Sequence, residues 1–319
     1  MTKQNYEPKP LFLERMKELL KEDFEKYLEV LKIPILNSIR CNTLKISPKE
    51  LRKRLEKKGW VIEQPFESYK EVMIIKNELN PGEIGRSIEH LLGYYYVQEI
   101  ASMLPPLVLE PKENERVLDL CASPGSKTTQ IAAMMNNKGL LIANEVSFGR
   151  MKILAGNLER CGVMNCILTR RDGIAISKKF NKNNFLFDKI LLDAPCSGEG
   201  TIRSTPRTLE MWNIKTIEFL SKLQKLLIES AISALKPNGI LVYSTCTHAP
   251  EEDEEIVDFA LKNFDVEIEE INLPIKSKDG ITEWKDKKYD SRVKLAKRVY
   301  PHISDTEGFF LAKLRKNNL

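Results

Sequence analysis

No stretch of this 319-residue sequence is apolar for long enough to span a bilayer, so no membrane association is expected. The opening residues, Met1-Thr-Lys-Gln-Asn-Tyr-Glu-Pro-Lys-Pro10, hold no apolar signal region, and a cytoplasmic chain is expected. Histidine is scarce, at three residues, and no Cys-x-x-Cys pair occurs; a zinc site is disfavoured and no metal is expected. A chain of this size does not need its six cysteines as a disulfide framework, and cytoplasmic thiols stay reduced. Cys41, Cys161 and Cys166 read as small core or surface residues. Gly-x-Gly-x-x-Gly is missing, and Ser126 interrupts the Gly125/Lys127 pair that a Walker A loop would need. A nicotinamide dinucleotide or a nucleoside triphosphate is therefore disfavoured. Low-complexity linkers and internal repeats are also missing.

At 42% hydrophobic and 30% charged residues, the chain can bury a sizeable core in one large or two moderate domains. The net charge of +5 decides little; its distribution says more. Lys49 to Lys58 reads as a helix with a basic face, started by Ser47-Pro48, and Lys285 to Lys297 is basic too. Two such patches suit a polyanion such as nucleic acid; the plainer alternative is a solvated helix face.

Residues 11–32 have helical apolar spacing, and Ser38–Leu44, Trp60–Ile62 and Val72–Ile75 read as strands. With the basic helix they make a small α+β domain over residues 1–92. The aromatic run Leu91 to Gln98 reads as core packing. Residues 93–319 read as a second domain, in which strands and helices alternate from about residue 100. Arg116–Leu120, Gly139–Asn144, Cys166–Thr169, Asp188–Asp193 and Gly239–Ser244 are expected strands; Lys127–Met135, Phe148–Cys161 and Ile214–Leu235 are expected helices. Near-continuous apolar strands between helices predict a mostly parallel, doubly wound, Rossmann-like sheet covered on both faces. Glu307–Leu314 reads as a closing edge strand.

The first of these strands runs into Asp119-Leu-Cys-Ala-Ser-Pro-Gly125-Ser-Lys-Thr, a tight turn before a helix N-terminus. The second ends in Asn144-Glu145, where a carboxylate would meet a ribose diol; the third is followed by Arg170-Arg-Asp172-Gly173. A loop for a zwitterionic tail, an acid for a ribose and a polar cap for an adenine fit S-adenosylmethionine. The candidate cofactor residues are Cys121, Ala122, Ser123, Pro124, Gly125, Ser126, Lys127, Glu145, Arg150, Asp172, Gly173 and Asp193. Two more strands end in thiol-bearing loops: Asp193-Ala-Pro-Cys196-Ser-Gly-Glu-Gly200 and Tyr243-Ser-Thr-Cys246-Thr-His-Ala-Pro250-Glu-Glu, whose acidic residues are expected to open a helix.

Those three motifs, with Arg40-Cys-Asn-Thr-Leu-Lys and Arg298-Val-Tyr-Pro-His302, resemble the Sun-family (NSUN-type, RsmB/Nop-like) RNA cytosine-5 methyltransferases, from about Asn37 to the end. The resemblance implies a Rossmann-like methyltransferase domain behind a small RNA-binding domain. It implies S-adenosylmethionine as cofactor, and Cys246 as the nucleophile that adds to carbon 6 of cytosine. Cys196 would assist product release, as a base or by orienting a water. A thiolate suits the task because it is strongly nucleophilic and can leave again. Asp193 would hydrogen-bond the cytosine ring edge or border the methionine, and Lys127 would hold substrate or the cofactor carboxylate. His248 departs from the small or apolar residue expected after Thr-Cys-Thr, which would alter the active-site rim. An appended PUA domain, present in some relatives, is not expected. A monomer acting on RNA is expected, with tRNA ahead of ribosomal RNA. A DNA cytosine-5 methyltransferase is disfavoured because it has no use for Thr245-Cys246. The remaining alternative is a catalytically silent RNA-binding or ribosome-assembly protein of the same fold.

Overall fold

A computed structural model describes residues 7–318; Met1–Tyr6, part of the opening segment read above, and Leu319 lie outside the described residues. The chain divides into two compact units, neither continuous in sequence. One takes Leu36–Asp193 and Ser230–Val242, with the last residues; the other takes the chain up to Ile35, Ala194–Glu229 and Tyr243–Asn317. No helix of the described residues is long and apolar enough to cross a membrane.

The first unit holds a four-stranded antiparallel sheet in the order Ile62–Glu63, Val72–Ile75, Ser38–Cys41, Tyr95–Val97. The helix Pro48–Glu56 packs on it through Leu51 and Leu55, which join Ile39, Trp60, Met73 and Tyr95 in one core. Ser47 caps that helix, its Oγ accepting from the Glu50 amide at 3.2 Å. The strand from Ser38 stops at Cys41, short of the expected Leu44, because Asn42 turns the chain. Its Nδ2 donates to the carbonyls of Gly93 (2.8 Å) and Cys161 (2.7 Å). The aromatic run packs as core: Tyr95 and Tyr96 are buried.

The same unit carries the parallel sheet that the apolar runs predicted. Arg116–Asp119 lies between Leu140–Asn144 and Phe187–Asp193, with Cys166–Thr169 beyond Leu140–Asn144. Parallel pairing brings Asp119, Asn144, Thr169 and Asp193 to one edge, the carboxyl edge of the strands. The strand Leu235–Thr245 is the neighbour of Phe187–Asp193, and along it the chain passes into the second unit after Val242. It starts earlier than expected, since the long helix Ile214–Ser233 ends sooner.

In the second unit the helical run 11–32 is broken into Pro10–Leu20 and Phe24–Leu31 by a short 3₁₀ turn. Phe12, Met16, Leu20 and Tyr27 join Trp212, Ile217 and Tyr300 in its core. Phe309–Lys316 is not the edge strand expected. Lys297–Val299 and Val266–Glu269 pair antiparallel with successive parts of one side of it, and Leu235–Thr245 neighbours the other. Its Phe309, Phe310, Leu311, Ala312 and Leu314 are all buried, as an interior strand requires. The helix expected at Pro250 begins at Glu254.

Candidate active site

In the first unit the loop after Arg116–Asp119 turns at Ala122, whose carbonyl accepts from the Gly125 amide at 2.8 Å. Gly125 sits at φ 104° as N-cap of the helix Ser126–Met134. A Cβ there would come within 2.9 Å of the Leu154 side chain, so this position suits glycine on two counts. Glu145 is buried; its Oε1 accepts from the Ser147 amide at 2.8 Å and its Oε2 lies 3.5 Å from Arg150 Nε. Arg150 also donates to the Ser123 carbonyl at 2.7 Å. Asp172 is exposed and caps the helix Gly173–Lys182, accepting from the Ala175 amide at 2.9 Å. Lys127, though buried, is ion-paired: Nζ lies 2.7 Å from Asp193 Oδ2 and donates to Ser102 Oγ at 3.0 Å. Burial raises the pKa of Cys121.

Asp119 is a further member of this site that its place at the end of an apolar strand does not announce. Thr128 Oγ1 donates to its Oδ2 at 2.7 Å, whereas Oδ1 is buried with no hydrogen-bond partner among the described residues. Burial pushes this carboxyl up to about 7. An unpaired acceptor beside a helix N-terminus and a buried Glu145 suits a ligand with an ammonium group, a carboxylate and a ribose, so these residues fit S-adenosylmethionine.

The second unit brings the two thiols together. Cys196 and Cys246 are half-buried free cysteines with Sγ atoms 3.3 Å apart. Their loops are braced against each other. Ala194 donates its amide to the Ser244 carbonyl and Gly200 to the Cys246 carbonyl, both at 2.9 Å. Ser197 Oγ meets Thr247 Oγ1 at 2.8 Å. Gly200 is required here because a Cβ would lie 2.3 Å from the Gly308 carbonyl oxygen and 2.9 Å from that of Cys246. The Cys196 thiol is held well above its ordinary pKa, first by its hydrogen bond with the Cys246 sulfur, then by burial and the nearby charges of Cys246 and Glu252.

The acidic run after Cys246, read as a helix opening, does open the helix Glu254–Asn263, and each of its five carboxylates also has a partner. Arg15 grips Glu251 with two hydrogen bonds of 2.7 and 3.0 Å. Glu252 accepts from the Ser197 amide at 3.0 Å and from Gln224 at 2.9 Å. Thr245 donates to Asp253 at 2.5 Å, Arg298 Nε to Glu254 at 2.5 Å, and Lys225 and Lys287 each reach Glu255 at 2.7 Å. Glu252 thus ties the Cys196 loop to the segment after Cys246, a role no local pattern announced. His248, expected to shape the active-site rim, is a core residue. It stacks on Tyr300 (centroids 5.0 Å apart) and meets Tyr27 edge-on. Burial, reinforced by Arg298, lowers its pKa to about 3 and keeps it neutral.

The basic segments are partly neutralised. Arg52 pairs with Glu56 and Arg54 with Glu50, leaving Lys49, Lys53 and Lys57 exposed at i, i+4, i+8 spacing. In the later segment Lys287, Arg292 and Lys297 are paired with Glu255, Asp290 and Asp279.

Comparison with known proteins decides the family. Residues 106–315 match the model of the 16S rRNA methyltransferase RsmB/F family, and residues 9–100 match that of the N-terminal domain of 16S rRNA methyltransferase RsmF. The chain belongs to the RsmB/F family. The RsmB/F methyltransferases use S-adenosylmethionine, and the Rossmann-like sheet agrees with the family's fold. The chain is 42% identical over 295 residues to the tRNA (cytosine(49)-C(5))-methyltransferase of Pyrococcus abyssi, covering 92% of this chain and 93% of that one. It is 43% identical over 303 residues to the ribosomal RNA small subunit methyltransferase F of Shewanella piezotolerans, covering 93% of this chain. Here it spans only 60% of the relative's length. Among solved structures, a methyltransferase homolog protein from Pyrococcus horikoshii superposes with a TM-score of 0.84 at 39% identity, covering 96% of this chain and 94% of that one. NSun6 from the same organism, solved with SFG, superposes with a TM-score of 0.82 at 28% identity, covering 96% and 98%.

Proposed function

We propose that this RsmB/F-family protein methylates carbon 5 of a cytosine in RNA, with tRNA as the substrate, through a covalent bond between Cys246 and carbon 6. The observation that carries this reading is the pair of thiols on braced loops, 3.3 Å apart. The match to a relative named as a tRNA enzyme, 42% identical over 295 residues, supports tRNA. The RNA-gripping part is placed at residues 1–92 and the catalytic part at residues 93–319; two family models match successive parts of the chain, residues 9–100 and 106–315. Six free cysteines suit a reducing cytoplasm, where the chain acts as a monomer.

Asp119, Glu145, Arg150, Asp172 and the loop Cys121–Lys127, with Gly173, would hold S-adenosylmethionine, which when bound supplies an electrophilic methyl group. The Cys246 thiolate forms the bond to carbon 6 and pushes electron density to carbon 5, which becomes able to take that methyl group. Asp193, fixed by Lys127, hydrogen-bonds the ring edge of the cytosine. The proton on carbon 5 must then leave, so that the carbon 5–carbon 6 double bond re-forms and Cys246 is expelled as thiolate. While Cys246 is free, its sulfur is the leading reason that Cys196 keeps its proton. Cys196, 3.3 Å from the Cys246 sulfur, is placed to take the carbon 5 proton through a water it orients, the water carrying the proton to solvent.

The test is trapping. Cys196→Ala should accumulate protein crosslinked to RNA while losing turnover; Cys246→Ala and the double variant should give no crosslink. A crosslink in Cys246→Ala would reverse the roles. Bisulfite sequencing of RNA from cells with and without the gene names the substrate: a lost mark in ribosomal RNA would overturn the tRNA reading, and no lost mark would favour a silent RNA-binding protein.

A further inference from the structure

A larger local charge excess lies outside both basic segments singled out above. From Val146 to Phe185 there are eight lysines and arginines against two acidic residues, an excess of six, where the whole chain has an excess of five. Two of the eight have partners: Arg150 pairs with Glu145, and Arg160 donates to backbone carbonyls and Asn157. The other six, Lys152, Arg170, Arg171, Lys178, Lys179 and Lys182, are all exposed, and among the described residues no carboxylate pairs with any of them. Lys152 and Arg170 instead lie against the exposed ring of Phe148, at 4.6 and 5.5 Å from its centroid. Arg170, Arg171 and Lys179 open on a cavity of 890 Å³ whose wall includes Phe180 and Phe185.

Like charges gathered without counter-charges repel one another and destabilise the folded state, a penalty relieved when a polyanion binds. The contrast with the basic helix and with the Lys285–Lys297 segment is direct, since there several cations already have carboxylates. Cations set around the exposed ring of Phe148 and the half-buried rings of Phe180 and Phe185 suit nucleic acid, phosphates on the charges and a base on the exposed ring. We infer that this face is an RNA-binding surface, taking phosphodiester groups of the substrate away from the target cytosine. Its position beside the Thr169–Asp172 segment, at the carboxyl edge of the parallel sheet, puts it on the edge where strand-end ligands bind.

The inference rests on the RNA substrate class proposed above, so binding is measured without methyl transfer. Full-length protein and the variant Arg170→Gln/Lys179→Gln/Lys182→Gln are titrated with an unmodified tRNA transcript, without cofactor, over a series of salt concentrations. Removing three phosphate contacts should flatten the slope of log affinity against log salt by about 2, at roughly 0.7–0.9 per contact. The charge-preserving variant Arg170→Lys/Lys179→Arg/Lys182→Arg should keep the original slope. An unchanged slope in the neutral variant, or an equal loss in the charge-preserving one, overturns the surface. A chain that grips RNA here yet methylates none would refute the reaction and leave the surface standing.

Discussion

Glu252→Gln isolates one buried carboxyl whose titration the structure makes visible. Glu252 is 0% exposed, and burial pushes its pKa from 4.5 up to about 7. Between those values the folded protein holds a proton that the unfolded chain has released. Unfolding therefore releases a proton, and stability falls as pH rises through that window. From about pH 5 to about pH 8 the loss attributable to this group is roughly 2–3 kcal/mol, since each pH unit between the two values contributes about 1.36 kcal/mol. Glutamine keeps a carbonyl acceptor for the Ser197 amide but has no proton to lose, so the variant should lack that part of the slope. Asp119 has a carboxyl raised to about 7 by the same cause, but it is present in both proteins and cancels in the comparison. Urea unfolding of both proteins across this pH range is the assay. The variant should gain on the parent by roughly 2–3 kcal/mol between the acidic and alkaline ends. Parallel profiles would mean that Glu252 is ionised in the fold throughout, and that the Cys196 loop is tied to a carboxylate at every pH tested.

Three other sets of side chains give measurable outcomes. Glu145→Ala should weaken S-adenosylmethionine binding by roughly ten-fold or more, as loss of a charge-assisted hydrogen bond does; unchanged affinity by calorimetry removes Glu145 from the cofactor site. Lys49→Gln/Lys53→Gln/Lys57→Gln should flatten the salt dependence of RNA binding by about 2, and an unchanged slope would make that face merely solvated. Arg298→Met leaves Glu254 and Asp253 buried without their cation and should cost about 3–5 kcal/mol in chemical unfolding; a variant as stable as the parent would show that the buried ion pairs add nothing to the fold.

What the sequence disclosed was local in origin. The parallel strands were legible because each is a short, nearly unbroken apolar run, and the helix at Pro48 because its cap and first turn are adjacent letters. The cofactor loop and both cysteines were legible as motifs. What escaped was long-range. Glu251 to Glu255 reads locally as a helix start, which Glu254 and Glu255 are, but the partners are distant: Arg15 is 236 residues from Glu251 and Arg298 is 44 from Glu254. His248 looked like a rim residue because nothing nearby in sequence shows that Tyr27 and Tyr300 enclose it. Phe309–Lys316 was taken for an edge because it closes the chain, although its apolar run already suited an interior strand. The basic face was missed because its charges are dispersed over a helix, a loop and a second helix.

The brace around the thiols has a consequence for synthesis on the ribosome. Both cysteines have been added to the chain by residue 246, but Arg298, which holds Glu254, and Gly308, whose amide donates to the Gly200 carbonyl at 2.9 Å, come later. Domains fold from the N-terminal end as the chain emerges, so a nascent chain halted before Arg298 carries both cysteines on loops whose bracing is incomplete. Such a chain has the contacts between the two loops themselves but lacks the later ones from Arg298 and Gly308. The brace around the thiols is therefore completed only when the last residues of the chain join it.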